Sequence, residues 1–364
     1  MNRAYRFRLY QNVQQQVLLA KTFGCCRFIY NQMLADKMNE YKKTGKMLYN
    51  TPAQYKKEYE WLKEVDSLAL ANVQLHLERA YKNFFQTPAM GFPKFKAKHR
   101  GAAGYTTNMV NGNIRLEGNQ LKLPKLSPMK IKVHRSIPEA YVLKSVTVCR
   151  EPSGAYFASL LFCCENQAVM EQTGLSKLLG IDYAMAGMAA FSDGSRADYP
   201  MYYKRAQDKL AREQRKLSHC VRGSQNYYRQ KRKVSLIHEK IRNQRKDYQH
   251  KLSYRLVQEY DAVCVENLDM KTLSQNLHLG KGIMDNGYCS FLSMLEYKLA
   301  YNGKRLIRID RFYPSSKRCS CCGKVKVKLA LSERIYRCSC GNSMDRDVNA
   351  EINIREEGRR ILCA

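Results

Sequence analysis

The sequence predicts an α/β protein built from several modules. Three observations carry that reading: a short strand followed by long helical patterns, a stretch from 101 to 165 with strand-like alternation, and a return after Gly174 to strands alternating with helices. With 364 residues, 45% of them hydrophobic, the chain has enough apolar material for more than one core.

AYRFRLY at 4–10 alternates with period two and reads as a strand. From Gln11 to about Lys43 a helical pattern carries Leu18, Phe23, Phe28, Ile29 and Met33, and a second helical stretch runs from about Ser67 to Phe85. Pro88, Gly91 and Pro93 then break the helix and set a module boundary near residue 90. NIRLEGNQLKL, MKIKVH, SVTVCR and AYFASLLF read as strands, with turns at Glu117-Gly118-Asn119 and Pro152-Ser153-Gly154, in a β-rich module completed by the N-terminal strand.

SKLLGID predicts a buried strand ending on an exposed acid, and GMAAFSDGSRADYP a hairpin return. Two helical segments follow, divided near Gly223-Ser224; Val234, Ile237, Ile241 and Tyr248 mark one apolar face of the second. The strand AVCVEN, a polar loop through Gly287, a helix to about Asn302 and the strand KRLIRID complete the alternation.

Charge narrows the function. Sixty-three Lys and Arg against 32 Asp and Glu give a net charge of +31, which self-repels unless a polyanion neutralises it. Nucleic acid is the expected partner, with an anionic membrane surface as the competitor. Between Lys204 and Lys251 there are sixteen Lys and Arg against four Asp and Glu, read here as a surface that tracks a nucleic-acid backbone rather than a merely solvated hairpin. MNRAYRFRLY lacks the apolar stretch of a secretory signal, and the longest apolar run, YFASLLFCC, is too short to span a bilayer; the expectation is a soluble, cytoplasmic, nucleoid-associated protein. Of fourteen cysteines, nine are scattered through apolar patterns and read as small core residues or incidental thiols of a reducing compartment.

The others cluster. Cys319-x2-Cys322, a fifteen-residue connection and Cys338-x-Cys340 place a close thiol pair on each of two turns, with a glycine after each pair to permit the tight backbone. Tetrahedral zinc wants four such soft ligands, and the metal would hold a module too small to fold unaided. Cys321 is a surplus thiol that competes as a ligand; a redox dithiol is disfavoured because nothing nearby resembles a thioredoxin-type unit.

Three acids stand out in so basic a chain: Asp182 after LLGI, Glu266 after AVCV, and Asp347 in DRDVNAEINI just after the cysteine module. Converging carboxylates repel one another and take up protons, and divalent metals reverse that. Two Mg2+ ions so held can clamp the attacking water and the leaving oxygen of a phosphodiester.

At these residues the sequence resembles the TnpB family, the insertion-sequence-encoded RNA-guided nucleases related to type V CRISPR effectors. The matching pieces are YRFRLYQN, GCCRFIYNQML, GFPKFKAKHR, LLGIDYAMAGMAAFSDG, KLAREQRKLSH, AVCVENLDMK, FYPSSKRCSCCG and YRCSCGNSMDRDVNAEINI, in the family's order across almost the whole chain. The resemblance implies a RuvC-like, RNase H-type nuclease core over 173–311 and 342–364, interrupted by a zinc ribbon at 312–341. It implies a β-barrel wedge module from 1–10 and 101–172, and a helical recognition lobe at 11–100. Asp182, Glu266 and Asp347 become the Mg2+-binding catalytic triad, with Asp345 at most a supporting residue, and Cys319, Cys322, Cys338 and Cys340 the zinc ligands. A guide RNA from the transposon end would pair with double-stranded DNA, while the protein reads a short flanking motif.

Lys94, Lys96 and Lys98 alternate with Phe92 and Phe95, placing cations on a nucleic-acid surface above buried rings or, in the plainer reading, simply in solvent. Tyr105 to Asn108 is a candidate for the flanking motif. One departure from the family lies at Tyr183-Ala184-Met185, where many members have a small or aliphatic residue and glycine; it bears on metal access. The rival readings are a cleavage-deficient RNA-guided repressor and a strand-transfer transposase. Among the seven histidines there is no His-x-His pair for a tyrosine transposase.

Overall fold

The computed structural model describes residues 2–98, 103–164, 176–185, 187–276, 280–330 and 332–363. The end of the basic stretch at 99–102 and the expected module end at 165–172 lie outside the described residues. The chain divides into two compact units, Met1–Asn166 and Gln167–Ala364.

The first unit runs β1 (Asn2–Tyr10), α1 (Val13–Thr44), α2 (Pro52–Glu58), α3 (Ser67–Gln86), β2 (Ala103–Asn108), β3 (Arg115–Glu117), β4 (Gln120–Lys122), β5 (Met129–Lys132), β6 (Val142–Arg150) and β7 (Tyr156–Cys163). Its strands form one antiparallel sheet in the order β2-β6-β7-β1-β5-β4-β3, so the N-terminal strand completes the β module as its alternation predicts. Phe7 and Leu9 of β1 and Tyr156, Ala158, Leu160 and Phe162 of β7 bury their alternate side chains in a core shared with α1 and α3. Helix α1 starts at an Asn12–Gln15 capping box and stops where Gly45 takes a left-handed φ of 69°.

The second unit continues with β8 (Leu178–Ala184), β9 (Met188–Phe191), α4 (Tyr202–Ser218), α5 (Gln225–Glu259), β10 (Ala262–Glu266), α6 (Met270–Asn276), α7 (Gly280–Asn286), α8 (Tyr288–Tyr301), β11 (Arg305–Ile309), β12 (Ile335–Arg337), β13 (Ser343–Asp345) and α9 (Arg346–Cys363). The polar stretch before Gly287, expected as a loop, holds the short helices α6 and α7; Asp285 at its end accepts bonds from the Tyr203 and Lys204 amides in the first turn of α4. Neither helix has a long apolar face, so periodicity gave no sign of them. Among the described residues, no helix is long and apolar enough to cross a membrane.

The sheet order is β11-β10-β8-β9, with β8 and β9 antiparallel and β8, β10 and β11 parallel. Alternation gives this sheet two working faces. Leu179, Ile181, Val263 and Val265 pack with Leu252 and Leu256 of α5 and Phe291 and Leu295 of α8. On the opposite face Leu178, Ala262, Cys264, Ile307 and Ile309 meet Ile354 of α9.

Helix α9 lies on that second face at close range. A Cβ on Gly180 would fall against the Glu351 carbonyl oxygen and 2.9 Å from the Arg355 amide nitrogen, and one on Gly358 would run into Cys264. Because backbone rather than a yielding side chain blocks Gly180, we expect Gly180→Ala to lower unfolding free energy by roughly 2–4 kcal/mol. Urea denaturation checks this, and a loss below about 1 kcal/mol would show that the helix is not seated on the strand.

Candidate active site

Strand register brings two of the predicted acids together. Cys264 pairs with Gly180 and Val265 with Ile181, so one step further along the parallel pair Glu266 comes beside Asp182. Asp182 shares its face with Gly180, and Glu266 shares the same face with Cys264, which is the face that α9 covers. One expectation needs correcting: Asp182 is not an exposed acid at a strand end. The strand runs on to Ala184, Asp182 pairs with Ala190 of β9, and the residue is half-buried.

The third acid comes from α9. Asp345 caps that helix by accepting from the Asp347 amide at 2.8 Å and the Val348 amide at 3.3 Å. The cap places Asp347 in the first turn, where the helix dipole favours negative charge. The arginine between the two aspartates donates from Nη1 to the Ala330 carbonyl at 3.2 Å, and its Nε lies 3.9 Å from Asp347 Oδ1.

The electrostatics record the convergence. Burial, then the Glu266 charge, then Asp347 push the Asp182 carboxyl up to about 7, against the Tyr183 amide and Arg346, which hold it down. Burial also raises Glu266, whose Oε1 accepts a bond from the Ser315 hydroxyl. A fourth acid joins them. Glu351, one turn beyond Asp347, is pushed up to about 8 by burial, then Asp182, with Asp347 and Asp345 adding to it and Arg196 opposing. The carboxylates share a field at longer range than the cysteines; among the described residues it is the four sulfurs that gather within 4.8 Å.

Sequence reasoning missed Glu351 and Ser315. The spacing from Asp347 to Glu351, four residues on one helix face, carried a usable signal. Ser315 carried none, since its contact with Glu266 joins residues far apart in the chain. Tyr183 resolves the departure from the family pattern: it points to the face opposite Asp182, its ring 4.9 Å from that of Tyr288 and its hydroxyl accepting from Asn286 at 3.1 Å. Its bulk fills core, away from the acids.

The cysteine knuckles assemble as their spacing predicts. Cys319 and Cys340 sulfurs lie 3.7 Å apart, Cys322 and Cys338 3.6 Å. Zn–S bonds of about 2.3 Å in a tetrahedron need sulfurs about 3.8 Å apart, so the set fits zinc. Gly323 and Gly341 take left-handed φ values of 78° and 89° at the turns, and Asn342 donates to the Cys319 sulfur at 3.4 Å. Cys321 stands outside the cluster, exposed. Two asparagines of α9 hold the module: Asn349 donates to the Arg318 carbonyl at 2.7 Å, and Asn353 to those of Ser315 at 2.8 Å and Arg318 at 2.6 Å.

In the first unit, Lys94, Lys96 and Lys98 are all exposed; Lys96 Nζ sits 3.9 Å from the centre of the Tyr30 ring, and Asn31 bonds its backbone in both directions. The rings expected to lie buried beneath these lysines are themselves in solvent: Phe92 is 41% exposed and Phe95 55%. The Pro93 between them takes the buried position. Tyr105 is 5% exposed, its ring 5.9 Å from that of Phe23, so it forms a wall of a cavity of about 480 Å³ with Arg27, His76, Lys96 and Thr106 rather than a free stacking surface.

A sheet carrying acids under one helix, joined to a four-cysteine knuckle that fits zinc, defines the class of α/β protein. Comparison gives the family. Residues 161–277 match the family model described as "Probable transposase", 288–354 "Cas12f1-like, TNB domain", and 1–46 "Helix-turn-helix domain". That last segment is here a strand and a single helix of 32 residues. A Streptomyces pristinaespiralis protein named "Putative RNA-guided DNA endonuclease" is 36% identical across 98% of this chain and 90% of its own. InsQ of Escherichia coli K12, of the same description, is 30% identical across 99% and 93%. The solved Cas12f1–sgRNA–target DNA complex shares the fold, with a TM-score of 0.62 at 13% identity over 98% of each chain. The chain belongs to the TnpB family.

Two outcomes check the site. Metal analysis should find one zinc per chain that survives Cys321→Ser and is lost in Cys319→Ser. The second concerns Asp182, which holds its proton more tightly folded than unfolded; its ionisation therefore destabilises the metal-free fold as pH rises from its ordinary 3.8 through about 7. Asp182→Asn should be more stable than the parent at pH 8 by roughly 2–4 kcal/mol, with the gap narrowing below pH 7 and closing toward pH 4. A gap that is constant with pH would contradict the assigned burial.

Proposed function

We propose that this chain is an RNA-guided DNA endonuclease that hydrolyses phosphodiester bonds at Asp182, Glu266 and Asp347. One observation carries the proposal: the Asp182 carboxyl is buried and feels both other acids, an arrangement that is costly without a cation. The relatives' names support the reaction class.

The acids present hard oxygen ligands that fit Mg2+. When bound, Mg2+ supplies a water made nucleophilic near neutral pH and offsets the charge on the leaving oxygen. The chain's own residues set the geometry. Ser315 orients Glu266, Asp345 fixes the turn that carries Asp347, and the Gly180 contact holds the helix over Asp182. Burial and then the Glu266 charge favour a proton on the Asp182 carboxyl, and a cation held there would favour its ionised form instead.

The basic exposed faces of α4 and α5 suit a polyanion backbone that is read without regard to sequence. In this reading, guide RNA from the transposon end supplies sequence choice by pairing, and the protein reads a short flanking DNA motif. The packing of the Tyr183 ring against Tyr288, on the face opposite Asp182, supports the nuclease reading over a cleavage-deficient binder.

The test is plasmid cleavage by the purified ribonucleoprotein. The parent should cut in Mg2+ and not in EDTA, and Asp182→Ala, Glu266→Ala and Asp347→Ala should each lose at least about 100-fold in rate. If all three variants cut as the parent does, the site is wrong. Joined donor and target ends instead of cut ones would point to strand transfer.

A further inference from the structure

Glu351 is an unusual residue to find where it is. It is 2% exposed, yet among the described residues its carboxylate accepts no hydrogen bond and forms no ion pair. Buried carboxylates are ordinarily paired, because an isolated buried charge is strongly disfavoured. The charges that act on Glu351 are chiefly Asp182, with Asp347 and Asp345 adding to the repulsion and Arg196 alone opposing it from beyond ion-pair distance.

Its placement is held by backbone, not by a flexible chain. The Glu351 carbonyl lies on Gly180, two residues before Asp182 on the same strand face. Asp347 is four residues earlier on α9, so both helix acids project from one stripe. Glu351 thus stands on the helix that covers the sheet face carrying Asp182 and Glu266, one turn along from Asp347.

Resting on the endonuclease reading, we propose that Glu351 is a fourth carboxylate ligand of the divalent-cation site. A hard cation that takes oxygen ligands is the partner this unpaired side chain lacks. A role confined to folding is a poor fit, because removing an unpaired buried charge relieves the metal-free protein rather than weakening it.

The test uses the full-length, zinc-loaded protein freed of nucleic acid, with Mn2+ as the probe, its binding followed by electron paramagnetic resonance and by the Mn2+-induced rise in melting temperature. Glu351→Gln should weaken Mn2+ binding at least about tenfold, keep one zinc, and melt no lower than the parent without Mn2+. Glu351→Asp, which keeps the charge but withdraws it by one methylene, should weaken binding less. Exposed Glu356→Gln on the same helix should bind as the parent does. If Glu351→Gln binds Mn2+ like the parent while Asp182→Asn does not, the ligand role is overturned and the endonuclease reading stands. If neither variant affects binding, both fall. A Glu351→Gln protein that melts lower with unchanged Mn2+ affinity also overturns the proposal.

Discussion

A helix laid directly on the backbone of a sheet is the contact on which the second unit depends. Helix α9 reaches the strands at Gly180 and Gly358, where any larger residue would strike backbone or Cys264. That approach brings Asp347, in the first helical turn, into the field of Asp182, which lies beside Glu266 on the neighbouring strand. The same packing that supplies apolar burial through Ile354, Cys264 and Ile309 therefore also drives like charges together. Fold and site are opposed in energy, a conflict that a cation among the acids would relieve.

The zinc module acts on the site through this helix. Asn349 and Asn353 hold the segment between Ser315 and Arg318, and Ser315 in turn bonds Glu266. A zinc held by the four thiols would therefore stiffen the loop whose Ser315 bonds Glu266. The knuckle's own core is small and centred on buried Tyr336.

The sequence disclosed those parts whose physics is local. Alternation in AYRFRLY and AYFASLLF, the break at Gly223-Ser224 and the glycine after each cysteine pair all reappear in the structure. The acids were legible as an oddity of charge in a basic chain. What stayed hidden was set by tertiary contact: the burial of Asp182 within β8, the capping role of Asp345, the two short helices before Gly287, and the solvent-facing rings of Phe92 and Phe95. The Tyr183 departure was visible in the sequence, but the face on which the strand presents it was not. Glu351 stood in plain sight in NAEIN and gained meaning only when Gly180 was found beneath it.

The account rests on a divalent cation sitting among Asp182, Glu266 and Asp347. Anomalous diffraction from crystals soaked in Mn2+ examines this most directly. The expected result is a strong anomalous peak bounded by those carboxylates, separate from the zinc peak at the four cysteines. Manganese found only at surface acids, with the space between the three carboxylates empty, would contradict it.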